Sequence, residues 1–177
     1  MEIRTILKND YNVVDSLIRE VFKTSPYGYN DEAKLVKRIR NSDSCEPSLE
    51  VVATAKDGEI MGHGLMSQVE IVNDKERRFT GLALAPLSVS LSYQRKGIGG
   101  EIVNELEKRA KTLNYQFVSI LGDPNYYSRF GYVRASKFEI FPSFKVPDEA
   151  FRIKPLFPNS LDSVRGILEY SKYFEIK

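Results

Sequence analysis

Cysteine and histidine are nearly absent from this 177-residue chain, which has one of each, Cys45 and His63. A single cysteine excludes an intramolecular disulfide framework and suits a reducing compartment. One Cys and one His also cannot build a zinc site of the usual types, so no metal is expected. No stretch approaches the ~20 apolar residues of a membrane-spanning helix. The opening Met1-Glu2-Ile3-Arg4 lacks the apolar run of a signal peptide. The expectation is therefore a cytoplasmic protein without a membrane partner. An excess of one charge is missing too: 26 Lys and Arg face 24 Asp and Glu, a net charge of +2. Bulk electrostatics thus give no reason to expect a nucleic-acid partner, and the small cluster Lys75, Arg77, Arg78 reads as a solvated turn.

What is present is enough apolar material, 42% of residues, for one well-packed domain over residues 1–177. Residues 3–7 read as a strand. Asp10 is placed to cap a helix whose Val13, Val14, Leu17, Ile18, Val21 and Phe22 recur at helical spacing. Ser25-Pro26-Tyr27-Gly28-Tyr29 breaks it, and Asn30 is placed to cap a second helix to about Arg40. Residues 49–55 and 60–72 read as strands joined by the turn Asp57-Gly58, and Asn73-Asp74 turns into a third strand ending at Leu91. These strands predict an antiparallel meander. A helix over 98–113 then leads to a strand over 117–121, which should pair parallel to its predecessor. Residues 138–141 and 151–157 suggest a closing hairpin, and 161–170 a last helix.

The most informative stretch is Val89 to Gly100, V-S-L-S-Y-Q-R-K-G-I-G-G, between a strand and a helix. A glycine-rich turn at a helix N-terminus presents free N–H groups and the positive end of the helix dipole to an anion. Glycines at 97, 99 and 100 let a phosphate approach the main chain. A Walker loop is excluded, because Gly100 is followed by Glu101 and Ile102. A dinucleotide fingerprint fails as well: Gly97 and Gly99 fit, but its last position is Ile102. A nucleotide binder of either type is therefore disfavoured. The pattern Q/R-x-x-G-x-G/A is matched by Gln94, Gly97 and Gly99. Downstream, Tyr127, Gly131 and Tyr132 match Y-x-x-x-G-F/Y, one helix and one strand further on.

On these two motifs the chain resembles the GNAT superfamily of acyl-CoA-dependent N-acetyltransferases, from about residue 3 to 157 and most strongly from 82 to 132. The resemblance implies an α/β (α+β) fold, a central mixed, mostly antiparallel sheet flanked by helices on both faces. The family core would span about 3–157, followed by a C-terminal helical extension over 158–177. It implies acetyl-CoA as acyl donor and transfer to a primary amine of a small-molecule or peptide acceptor. In the family the glycine turn grips the pyrophosphate. Here that role falls to Gln94, Arg95, Lys96, Gly97, Ile98, Gly99 and Gly100, mainly through main-chain N–H groups. The pantetheine arm would pair with Leu87, Ser88 and Val89. Pro86 cannot donate to a ladder and suggests a bulge there.

By the same resemblance Tyr127 protonates the leaving thiolate, a role a phenol with an ordinary pKa of about 10 can fill at neutral pH. Tyr126 is expected to pack instead. Asn125 is carried over as a donor-binding residue, although the usual family asparagine lies farther upstream and Asp123-Pro124 is unusual there. The base is open. The strand over 80–91 has no acid, which leaves Glu70 and Asp123 as substitutes and Glu50 as a third. His63, between Gly62 and Gly64, reads as a structural histidine beside a close backbone approach. Tyr27 and Tyr29 are expected to line the acceptor pocket, where aromatic rings can cradle a cationic amine. The tail after Pro158 is available to shape the pocket or to pair two copies as a homodimer. A non-catalytic acyl-CoA sensor is the alternative function.

Overall fold

The computed structural model describes residues 1–26, 28 and 31–174. Strand β1 (Glu2–Thr5) is followed by helices α1 (Tyr11–Phe22) and α2 (Glu32–Arg40). Three strands follow: β2 (Glu50–Thr54), β3 (Ile60–Val72) and β4 (Arg78–Val89). Helix α3 (Ile98–Thr112), β5 (Phe117–Leu121) and the single turn α4 (Pro124–Tyr127) come next. The chain continues with β6 (Val133–Arg134), β7 (Ile140–Pro142), β8 (Phe151–Pro155) and β9 (Gly166–Tyr170).

The strands form one sheet. β1 to β4 pair antiparallel in chain order, β5 lies parallel to β4, and β8 then β6 extend that side. Helices lie on both faces. Val14 and Ile18 of α1 and Leu35, Val36 and Ile39 of α2 pack on one face. Ile102, Val103, Leu106 and Ala110 of α3 pack on the other. β5 shows the strand period that allows this, with Phe117 facing the first cluster and Val118 and Ile120 the second. Each of these Val, Leu, Ile and Phe side chains contributes about 1.5–3 kcal/mol when fully buried. Helix α3 lies very close to β3. A Cβ on Gly62 would come within 2.9 Å of Ile102, and one on Gly64 within 2.6 Å of it. The glycines flanking His63 therefore mark a close approach.

Several local expectations need correction. The Asp10 side chain does not cap α1. It accepts from Arg4 Nη1 at 2.7 Å and from the Leu7 N–H at 2.7 Å, closing the turn before the helix. Asn30 lies outside the described residues, and Asp31 stands at the N-cap of α2. The hairpin expected from 138–141 and 151–157 does not form. β8 instead fills the free edge of β5, and β7 pairs parallel with β9. Residues 166–170 are a strand, not the end of a helix. β9 pairs with Val69 to Val72 of β3, a stretch that extends past the end of β2 and has an edge to satisfy. The helical extension expected over 158–177 is corrected accordingly.

Candidate active site

The site begins where two parallel strands part. β4 and β5 are in register at only two pairs, Leu82 with Val118 and Ala83 with Ser119. Past them, β4 bulges: the step from Gly64 to Met66 on β3 spans two positions, while its partners Leu87 and Leu84 on β4 are three apart. The extra residue falls at Ala85-Pro86, where proline could not have completed a ladder in any case. A cleft of about 1000 Å³ opens along this half of β4. Leu87 and Val89 line it, and the chain from Leu121 to Phe130 forms the opposite wall. Ser88 points the other way. It is buried, stands in register with His63, and its hydroxyl has no hydrogen-bond partner among the described residues.

One end of the cleft is the N-terminus of α3. The first hydrogen bond into the helix runs from the Glu101 N–H to the Gly97 carbonyl, so the N–H groups of Ile98, Gly99 and Gly100 precede any intrahelical partner. Gly97 is left-handed at φ +83°, and a Cβ there would meet nothing within 4 Å. Arg95 is also left-handed, at φ +62°, a costly conformation for a side-chain-bearing residue. The Gln94 amide donates to the Val89 carbonyl at 3.1 Å and ties the loop to the end of β4. Gln94, Arg95, Gly97, Ile98, Gly99 and Gly100 all line the cleft. Lys96 does not; its ammonium lies 5.1 Å from the centre of the Tyr93 ring.

The opposite wall is aromatic. Asp123 caps α4 by accepting the Asn125 N–H at 2.8 Å, and Pro124 occupies the first helical position. The unusual Asp-Pro pair is thus a helix start. The turn ends at Gly131, left-handed at φ +86°, which sends Tyr132 into the core. That geometry sets Tyr127 in the cleft wall. Its ring lies so close to Gly122 that a Cβ there would be 2.7 Å away. Burial, with Tyr126 and Asp123 adding to it, raises the Tyr127 hydroxyl well above an ordinary phenol, so it stays protonated at neutral pH. The Tyr126 hydroxyl rests against Gly99, in the space a side chain there would need. Its ring packs edge-on against Tyr127 and tilted against Phe130. Asn125 is exposed and does not line the cleft.

The other end lies under the first two helices. Val21, Phe22, Ser25, Glu32 and Leu35 line it. Glu32 opens α2 and is only 4% exposed. An acid in the first turn of a helix is commonplace, so the sequence gives no signal that sets this one apart. Tyr27 and Tyr29 lie outside the described residues. Arg129 and Asn104 also line the cleft without having been expected there.

Two of the proposed bases sit elsewhere. Glu70 is half exposed and bonds to Arg78 at 2.7 Å, outside the cleft. Glu50 is 2% exposed and held by Arg40 Nε at 2.9 Å and His63 Nε2 at 2.7 Å. Burial opposes its ionisation, but the hydrogen bonds from His63 and Arg40 outweigh that and hold the carboxyl below its usual range. Arg40 also stacks on Tyr11, 3.9 Å from the ring centre. This network pins α2 to the sheet, and His63 is structural. Asp123 alone of the three lines the cleft. Among the described residues, no group of three or more His, Cys, Asp or Glu is placed to hold a metal ion, and no helix is long and apolar enough to cross a membrane.

Comparison with known proteins bears on the same elements. The model of the acetyltransferase (GNAT) family matches residues 14–132. The chain is 30% identical over 174 residues to the uncharacterized N-acetyltransferase YhbS of Escherichia coli strain K12, covering 98% of each. It resembles the crystal structure of the GNAT family N-acetyltransferase YhbS from Escherichia coli in complex with CoA at a TM-score of 0.87 and 29% identity, covering 98% of this chain and 91% of that one. A GNAT family acetyltransferase from Brucella melitensis, in complex with acetyl-CoA, gives a TM-score of 0.78 at 25% identity, covering 98% and 97%.

Proposed function

Because this chain belongs to the acetyltransferase (GNAT) family, we propose that it moves an acetyl group from acetyl-CoA to a primary amine by direct attack on the thioester. The observation that carries this reading is the cleft between β4 and β5, which joins an open helix N-terminus to an apolar end holding one buried acid. The residues suit a CoA donor. The leading N–H groups of α3 are turned out, and Gly97 leaves room for a phosphate. Arg95 adds charge. Along β4, pairing with β5 stops at Ala83, so the cleft side of residues 85–89 is free to pair with the pantetheine amides and to donate to the thioester oxygen.

In the reaction the acceptor nitrogen bonds to the acetyl carbon, the carbon–sulfur bond breaks, and the Tyr127 hydroxyl protonates the departing sulfur. Burial raises the phenol, and would shift a thiol beside it in the same direction. An acceptor that arrives protonated sheds one proton before it attacks, and Asp123 is in the cleft wall to receive it; the proton lost from nitrogen as the amide forms replaces the one that Tyr127 gives to sulfur. At the far end, Glu32 among Val21, Phe22 and Leu35 suits a cationic acceptor with an apolar portion, a small molecule or the amine of a peptide. A reducing cytoplasm suits the lone cysteine.

The experiment is turnover of acetyl-CoA against a panel of amines, read as release of free thiol. Amine-dependent thiol release is expected. The absence of any carboxylate on β4 favours one competing reading, a non-catalytic acyl-CoA sensor, which would bind acetyl-CoA and release no thiol with any amine.

A further inference from the structure

Arg129 stands in the cleft wall with no part in the function proposed above. It is exposed, and among the described residues no carboxylate lies within ion-pair distance of it. It is nevertheless held in place. Its Nε donates to the Tyr126 carbonyl at 3.2 Å, and its guanidinium lies 4.6 Å from the centre of the Tyr126 ring and 5.4 Å from that of Phe130. Those two rings rest on the first turn of α3. Tyr126 touches Gly99, and a Cβ on Gly100 would sit 3.0 Å from Phe130. The result is a stacked, forked cation beside the first turn of α3, whose terminal nitrogens make no hydrogen bond among the described residues. Guanidinium in this setting suits a phosphate, to which it can offer two parallel N–H donors.

Place in the wall bears on which phosphate. Val89, past the β4 bulge, lies against Gly99, while Phe130, flanked by the Arg129 guanidinium, lies against Gly100 further into the helix. Order along the donor is thioester, pantetheine, pyrophosphate, then the ribose with its 3′-phosphate. With the pyrophosphate on the α3 N-terminus, the next anion is the 3′-phosphate. We propose that Arg129 binds the 3′-phosphate of the donor and makes the protein discriminate CoA from 3′-dephospho-CoA. This assignment rests on the acetyl-CoA reading.

The test is calorimetric titration of the wild type and Arg129→Gln with CoA and with 3′-dephospho-CoA. The wild type is expected to bind CoA about tenfold more tightly, in line with one charge-assisted contact. Arg129→Gln is expected to bring CoA down to the dephospho-CoA level and to leave dephospho-CoA unchanged, which also reports that the variant is folded. Equal wild-type affinity for the two ligands overturns the assignment. So does an equal loss for both in the variant, which would place Arg129 on the pyrophosphate or in the packing of the wall. Binding of neither ligand to the wild type would remove the donor reading itself, and this assignment with it.

Discussion

The two ends of the cleft are made of different material. The end assigned to the donor is mostly main chain: leading N–H groups of α3, a left-handed Gly97, and a strand edge released by the bulge at Ala85-Pro86. The end assigned to the acceptor is side chain: Val21 and Phe22 from α1, Glu32 and Leu35 from α2. Main chain can be exposed only where particular residues permit it, so the donor end imposes glycine at fixed intervals. Side chains on two helices impose no spacing beyond what a packed helix already has. The first end should therefore break when bulk is added, and the second when charge is removed.

The largest effect is expected at Gly99. Gly99→Asp would drive a side chain into the Tyr126 hydroxyl and set a negative charge in the anion cradle. The helix itself tolerates an acid in its first turn, so the fold should survive while acetyl-CoA affinity falls more than about 100-fold, roughly 2.7 kcal/mol. Titration of a variant shown to be folded by circular dichroism checks it, and unchanged affinity would remove the main-chain cradle from the account.

Next comes the network that anchors the side-chain end. Glu50→Gln leaves Arg40 and His63 without their shared anion and should cost about 3–5 kcal/mol in unfolding at neutral pH. The Glu50 carboxyl is held below its unfolded value, so its contribution is present above the unfolded carboxyl pKa of about 4.3 and is lost as pH falls through the folded value. The gap between wild type and variant should accordingly narrow below about pH 4. Denaturant unfolding at several pH values measures this, and a gap that widens in acid would contradict it.

Tyr127→Phe keeps the ring against Gly122 and removes the proton. Turnover is expected to fall about 100-fold with acetyl-CoA affinity nearly unchanged. Equal turnover would free Tyr127 from its role. The smallest effect is expected at Glu32→Gln, about a tenfold rise in the acceptor KM with little change in kcat. An unchanged KM would mean that Glu32 serves only the local fold of α2.

The same contrast explains how far the sequence could be read. Gly97 and Gly131 were visible because a left-handed backbone favours glycine at those positions, Tyr127 by its fixed distance from Gly131 in the motif, and β3 and β5 run between the very residues their patterns suggested. Arg129 lay inside the second motif, yet nothing in the spacing says that it stacks on Tyr126. Glu32 looked like any acid at a helix start. Residues 161–170 show why local pattern can mislead. Leu161, Val164 and Leu168 fall at helical spacing and are all buried, but a turn and strand β9 bury them equally well. The deciding factor was the unpaired edge of β3 past β2, a tertiary demand that no local window contains. Glu70 was a candidate base by position on its strand, but β3 is long enough to carry it out of the cleft and to Arg78.

The most direct measurement is calorimetric titration of the purified protein with acetyl-CoA, with ATP and NAD as controls. Micromolar binding of acetyl-CoA and silence with both controls is the predicted result. Absence of acetyl-CoA binding, or equal binding of all three, would contradict the assignment of the cleft between β4 and β5 to an acyl-CoA donor.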